Sequence, residues 1–176
     1  MSVSLGPVFE KVDLLLSELE ELSARGPHFK IVHRFREHGT DCAPGEEIAW
    51  ALLIYRSREY ILALSLSLLL LFDYLAKNRY RPQSASQIIS GMCADPFYAR
   101  HGKNARADIK RTRKFGRSAV KEYVKRIRQS LHHAFSEAGL KLDPSAVFAS
   151  EPTETNEVHY RLKATVEWVH FDTSSQ

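Results

Sequence analysis

Residues 61–72, ILALSLSLLLLF, are the most apolar run of the chain and constrain it more than any other feature. A membrane-spanning helix takes roughly 20 apolar residues. This run is about twelve long, and Asp73 and Lys77 follow it, so it is too short to span. It has to be buried inside a domain instead, as a strand passing into a core helix. Tyr60–Leu64 supplies the strand. Ser65 or Ser67 caps a helix running to about Lys77. At 176 residues the chain has room for one ordinary domain and an appendage.

The rest of the chain falls into elements around that run. Residues 28–36 (HFKIVHRFR) and 47–55 (EIAWALLIY) read as strands, with RSRE as the turn into Tyr60–Leu64. Gly39 to Gly45 is turn chemistry. Ser84 caps a short helix, Ala85–Met92. Residues 93–116 carry little apolar periodicity and are expected to form a long basic connection with a helical turn near Ala105–Lys110. Ser118 opens a helix to about Ala138, where Gly139 stops it. A short strand, Ala146–Ser150, follows Pro144. After the polar loop EPTETNE, residues 158–168 (VHYRLKATVEW) alternate strictly, as one strand of a hairpin would. Trp50 and Trp168 sit on strand faces and are expected in the core.

Ahead of all this, residues 8–25 have an apolar stripe of Val8, Val12, Leu15, Leu19 and Leu22, widened by Phe9 and Leu16. Gly26-Pro27 ends it. The stripe has two ways to be buried, on the domain's own sheet or on a second copy of the chain. Dimerisation through it is the working expectation. The division is then 1–27 as an N-terminal amphipathic helix, 28–171 as the main domain and 172–176 as a polar tail.

Charge is unevenly spread. Residues 100–128 hold twelve Lys and Arg against Asp108 and Glu122, a local charge of +10 in a chain of net +4, which leaves −6 for the remainder. One basic segment on a mildly acidic body points to a polyanion, most often nucleic acid. In the helix from Ser118, Val120, Val124, Ile127 and Leu131 share one face at 100° per residue. Ser118, Glu122, Lys125, Arg126 and Gln129 share the other, flanked by Lys121 and Arg128. An apolar back with a basic front suits insertion into a DNA major groove.

AVKEYVKRIRQSL, positions 119–131, resembles the recognition helix of the winged-helix effector domains of OmpR-type response regulators, with Val120, Val124, Arg126, Ile127, Arg128 and Leu131 matching the pattern. Upstream, ALSLSLLLLFDYLAKNRYRPQSASQII resembles the family's passage from strand through first helix to second. Downstream, VFAS and VHYRL resemble its wing strands. The likeness covers about residues 45–165. It implies an α+β fold, a winged helix-turn-helix with an N-terminal antiparallel sheet, a three-helix core and a C-terminal β-hairpin wing, here with an extra N-terminal helix. It implies double-stranded DNA as partner and a sequence-specific transcriptional regulator, with RNA polymerase as a further partner and the bacterial cytoplasm and nucleoid as its place; a homodimer is expected from the N-terminal stripe. Arg126 matches the family's base-reading position. Lys125, Arg128 and Tyr123 match phosphate-contact positions, and the wing, 146–168, is expected to reach the minor groove or backbone through Arg161 or Lys163. Glu122 lies on the reading face, able to accept from a cytosine amino group or to pair with Arg126. Ser118, Lys121, Arg111, Arg113, Lys114 and Arg117 are further expected phosphate contacts. The 27 residues ahead of the first strand are too few for the family's receiver domain, and EPTETNE lacks its glycine-rich turn.

Other chemistry finds little support. Cys42 and Cys93 form neither a disulfide framework nor a CxxC, and reduced thiols are expected. His132 and His133 diverge on a helix, and His28, His33, His38, His101, His159 and His170 are scattered, so no metal site is expected. No GxSxG, GxxxxGK[ST] or GxGxxG occurs, and neither catalysis nor a cofactor is expected. Two other readings stand beside DNA binding. An RNA- or single-strand-binding module needs exposed stacking aromatics, for which Phe97, Tyr98 and Phe115 are the candidates. A protein-interaction domain leaves the basic segment incidental.

Overall fold

The computed structural model describes residues 27–36 and 45–171, with the backbone alone over 100–118. The stripe Val8, Val12, Leu15, Leu19 and Leu22 and the tail 172–176 lie outside the described residues. The elements run β1 (His28–Arg36), β2 (Gly45–Tyr55), β3 (Arg58–Ile61), α1 (Leu66–Lys77), β4 (Gln83–Ser84), α2 (Ala85–Ala94), α3 (Pro96–Glu137), α4 (Pro144–Val147), β5 (Phe148–Pro152), β6 (Val158–Leu162) and β7 (Thr165–Phe171). The fold is α+β, as expected. No helix among the described residues is long and apolar enough to cross a membrane.

Two sheets flank the helices. The larger has the order β3-β2-β1-β7 and the smaller β4-β6-β5. The first three strands pair antiparallel, but β7 pairs parallel with β1, from His28 opposite Thr165 to Arg34 opposite Phe171. The expected purely antiparallel N-terminal sheet is therefore mixed and is completed from the far end of the chain. Residues 158–168 are correspondingly not one strand. The chain leaves the small sheet after Leu162 and enters the large one at Thr165.

The hairpin between β2 and β3 is tighter than RSRE suggested. Arg56 and Ser57 alone make the turn, at φ 50° and 58°. Positive φ at both central residues is what a type I′ turn requires. The strand that follows consequently begins at Arg58 and ends at Ile61, three residues short of Leu64. Ile61 is 71% exposed and Leu66 47%, so the apolar run is buried from Leu62 and Leu68 inward rather than throughout. Trp50, expected in the core, is 41% exposed. A bulge between the pairs Val32–Trp50 and His33–Ile48 shifts the register of β2 there.

The helices follow their local chemistry. Ser84 Oγ accepts from Gln87 N at 3.3 Å while Gln87 Oε1 accepts from Ser84 N at 2.8 Å, a complete capping box that opens α2. The largest departure from expectation is α3. Residues 93–116 are not a connection, because the helix that Asp95 caps at Phe97 N continues unbroken through Ser118 to Glu137. Strong helix formers and the absence of an internal proline permit that run despite its weak apolar pattern. Gly139 at φ 66° ends it, with Gly139 N donating to Ser136 O and Leu140 N to Phe135 O, a Schellman stop. Ala146–Ser150 was likewise not one strand. Asp143 caps the single turn α4, and β5 starts at Phe148.

One core unites these pieces, including Phe29, Ile31, Leu53, Leu70, Phe72, Leu75, Ile88, Ile127, Leu131, Phe135, Phe148 and Leu162. Within it Asp73 is fully buried. Its Oδ1 accepts from Trp168 Nε1 at 2.9 Å and lies 3.3 Å from His33 Nε2. Its Oδ2 accepts from Tyr98 Oη at 2.7 Å and pairs with Lys77 Nζ at 2.9 Å. Burial raises the carboxyl's pKa, but the hydrogen bonds from His33, Tyr98 and Lys77 and the charge of Lys77 outweigh it, bringing the pKa down to about 2. Burial, reinforced by that carboxylate, pushes the Tyr98 hydroxyl well above the usual phenol range.

Two predictions follow from this packing. Asp73→Ala leaves buried donors without an acceptor and costs about 3–5 kcal/mol in chemical denaturation, with Asp73→Asn costing less because it keeps one acceptor oxygen. Because the folded pKa is depressed, this contribution is complete above about pH 4 and is lost as pH falls toward 2. Separately, a Cβ at Gly91 would stand 1.9 Å from Tyr74 Oη and 2.8 Å from its Cζ, and the Tyr74 ring is itself buried. Gly91→Ala is expected to cost about 1–3 kcal/mol by overpacking, and Tyr74→Phe in the same chain to restore part of it.

Candidate nucleic-acid interface

The second half of α3 carries the expected two faces. Val120, Val124, Ile127 and Leu131 are all at most 4% exposed, with Ala134 and Phe135 extending the buried side. Lys121, Glu122, Lys125, Arg126, Gln129, His132 and His133 are exposed. The apolar back fixes the helix's rotation on the core, so the polar front is presented by default.

After the Schellman stop the chain doubles back through α4 into the β5–β6 hairpin. Between this hairpin and the helix front lies an open groove of about 840 Å³. Lys121, Glu122, Lys125, Gln129 and His132 wall it on the helix side, and Ser150, Val158 and Tyr160 on the hairpin side. Asp143, at the α4 cap, lines the groove as a second acid beside Glu122. Its hydrogen bonds with Ser145 hold its carboxyl below the usual range.

The expected contact residues separate once their partners are known. Lys125 and Lys121 are exposed in the groove wall. Arg126 is exposed one step round the helix, where its Nε donates to Glu122 Oε1 at 3.2 Å. Arg128 is engaged inside the domain. Its Nε donates to Phe148 O at 2.8 Å and its guanidinium to Ser150 Oγ at 2.8 Å. It therefore acts as a bracket between helix and hairpin. Tyr123 is half-buried against the core. Arg111, Arg113, Lys114, Arg117 and Ser118 are carried on the helical backbone of α3, and their side chains lie outside the described set.

The two cations expected on the wing also have partners. Arg161 Nε donates to Arg79 O at 3.1 Å, tying β6 to the turn after α1. Lys163 Nζ pairs with Glu151 Oε1 at 2.5 Å, and this bond depresses the Glu151 carboxyl. The hairpin tip closes without glycine. Asn156 takes φ 59°, a conformation asparagine tolerates, and Asn156 N and Thr153 N donate to Thr153 O and Glu157 O. The tip is acidic, bearing Glu154 and Glu157.

Sequence reasoning missed two features. At the turn after α1, the Arg79 guanidinium lies 4.6 Å from the Tyr80 ring and 5.6 Å from that of Trp168, with Tyr80 75% exposed and Arg81 beside it. An Arg-Tyr-Arg triplet in NRYRP was the available signal. The histidines, expected to stay apart, do not all do so, since His33 and His170 meet at Glu46, outside the groove. Two candidate stacking aromatics are used internally. Tyr98 is buried, and Phe97 stacks on His33 at 5.6 Å. No family model, curated protein or solved structure matches this chain.

The bracket is testable by itself. Arg128→Met keeps the aliphatic stem and removes both hydrogen bonds, so it is expected to destabilise the domain by about 1–3 kcal/mol. Amide exchange should quicken in β5 before it does in β1 or β2.

Proposed function

We propose that this chain is a winged-helix double-stranded DNA-binding protein, a transcriptional regulator that reads sequence with the second half of α3. The observation that carries the reading is the basic front of that helix, held over an apolar back and opening onto the β5–β6 groove. Three further features support it. The order of strands, then helices, then a hairpin is compatible with the one the sequence resemblance implies. The small sheet joins β4, from between the first two helices, to the hairpin. The basic residues of 100–118 continue along the same helix. Burial of Tyr98 and stacking of Phe97 remove two of the three aromatics that a single-strand binder would use.

On this reading the roles are divided. Lys121 and Lys125 contact phosphates and set position. Arg126 reads bases, restrained by Glu122 until a guanine edge replaces the carboxylate. Arg128, Arg161 and Lys163 hold the hairpin in place. With Glu154 and Glu157 at its tip, the hairpin buttresses the helix and leaves most backbone contact to α3.

Affinity for duplex DNA measured across salt tests this. Each neutralised phosphate contributes a slope of about −0.9 to log K against log salt, so binding is expected to weaken steeply between low and moderate salt. Lys125→Ala lowers the slope by about 1 and weakens all sequences alike. Arg126→Ala instead costs about 1–3 kcal/mol of discrimination at one base pair. A flat salt response, or equal losses on chosen and random duplexes for both variants, would overturn the assignment.

A further inference from the structure

The large sheet gathers a side-chain cluster that DNA recognition does not use. Parallel pairing sets His33 of β1 directly opposite His170 of β7. On the other side of β1, Glu46 of β2 pairs with Phe35, two positions along from His33. Three strands thus bring one potential ligand each to the same place. Glu46 Oε1 lies 3.0 Å from His33 Nδ1 and 2.6 Å from His170 Nδ1. The ligating atoms of all three residues fall within 4.8 Å of one another.

The surroundings prepare His33 for ligation. It is 2% exposed and its ring is stacked on Phe97. Its Nε2 faces the buried carboxylate of Asp73 at 3.3 Å. The other ring nitrogen, Nδ1, faces Glu46 at 3.0 Å, so His33 stands between two carboxylates, groups that only accept. A cation seated between Nδ1 and Glu46 satisfies both when Nε2 donates to Asp73. A carboxylate that fixes the far nitrogen of a ligating histidine is the usual outer partner of a metal site. His170 is 65% exposed at its side chain, which leaves the solvent side open for a fourth ligand.

We propose that His33, Glu46 and His170 form a three-ligand site for a divalent first-row transition cation of the zinc class, with Asp73 orienting His33 from behind. Two imidazoles and one carboxylate favour zinc, cobalt or nickel over calcium and magnesium, which take oxygen ligands. Such an ion clamps β1, β2 and β7 together, so it binds the folded sheet and stabilises it by mass action. The proposal is independent of the DNA-binding reading.

The full chain, stripped with a chelator, is titrated with Co²⁺ followed by absorption, and with Zn²⁺ in competition with a chromophoric chelator. One equivalent is expected to bind, without a thiolate charge-transfer band, and to raise the melting temperature. His170→Ala and Glu46→Gln are each expected to weaken binding at least tenfold. Circular dichroism of the metal-free His170→Ala protein should be unchanged, since that side chain is largely exposed. A chain carrying both His132→Ala and His133→Ala should bind as the parent does. No stoichiometric binding at micromolar metal, a thiolate band, or binding that survives both His170→Ala and Glu46→Gln overturns the site. The first of these results would leave the trio as a hydrogen-bonded cluster that holds no metal.

Discussion

A single buried carboxylate sets the arrangement of this molecule. Asp73 lies on a leucine-rich helix, and both its oxygens are engaged by groups from four elements: His33 of β1, Lys77 of α1, Tyr98 of α3 and Trp168 of β7. Desolvating such an ion alone costs several kcal/mol. Hydrogen bonds to a charged group return about 1.5–3 kcal/mol each, and here four donors surround it. Apolar burial drives collapse but has no direction. The carboxylate supplies direction. It fixes how deep α1 sits beneath the large sheet and where α3 begins.

The same economy governs the candidate interface. One helix contributes Tyr98 to the buried hub at its start and an exposed basic front in its second half. Its rotation is set twice, by Tyr98 and by the stripe from Val120 to Leu131. The hairpin is then placed against it by Arg128, whose two hydrogen bonds reach Phe148 and Ser150. Cations that a charge count would assign to DNA are in several cases structural, and geometry separates the two kinds.

Local signals in the sequence were legible where the chemistry is local. The alternation of HFKIVHRFR, the Ser84 cap and the Gly139 stop each act within a few residues, and each is present as read. Long-range features were not. Residues 158–168 divide between two sheets, yet the break at Lys163 and Ala164 spans two residues and so preserves the strand's parity. Tyr160, Leu162, Val166 and Trp168 still face the interior, and no alternation test could detect the transfer. The helix through 100–118 has charge where a core-facing stripe would be, so periodicity had nothing to report. Asp73 read as the polar end of an apolar run, because its partners come from strands and helices far away in sequence. The meeting of His33 with His170 needed the β1–β7 pairing, which no local pattern announces.

That pairing has a temporal consequence. β1 is an interior strand of its sheet, yet one of its two neighbours is the last strand of the described chain. During synthesis, one edge of β1 emerges early and stays unpaired until the helices and the hairpin have been made. Parallel closure over so long a segment is slow and entropically costly. The α1–α3 layer and the small sheet can assemble first, and β7 then zips along β1 as the closing step. Trp168 is the last of the four Asp73 partners in chain order, so the carboxylate's full set of donors exists only once β7 has been made.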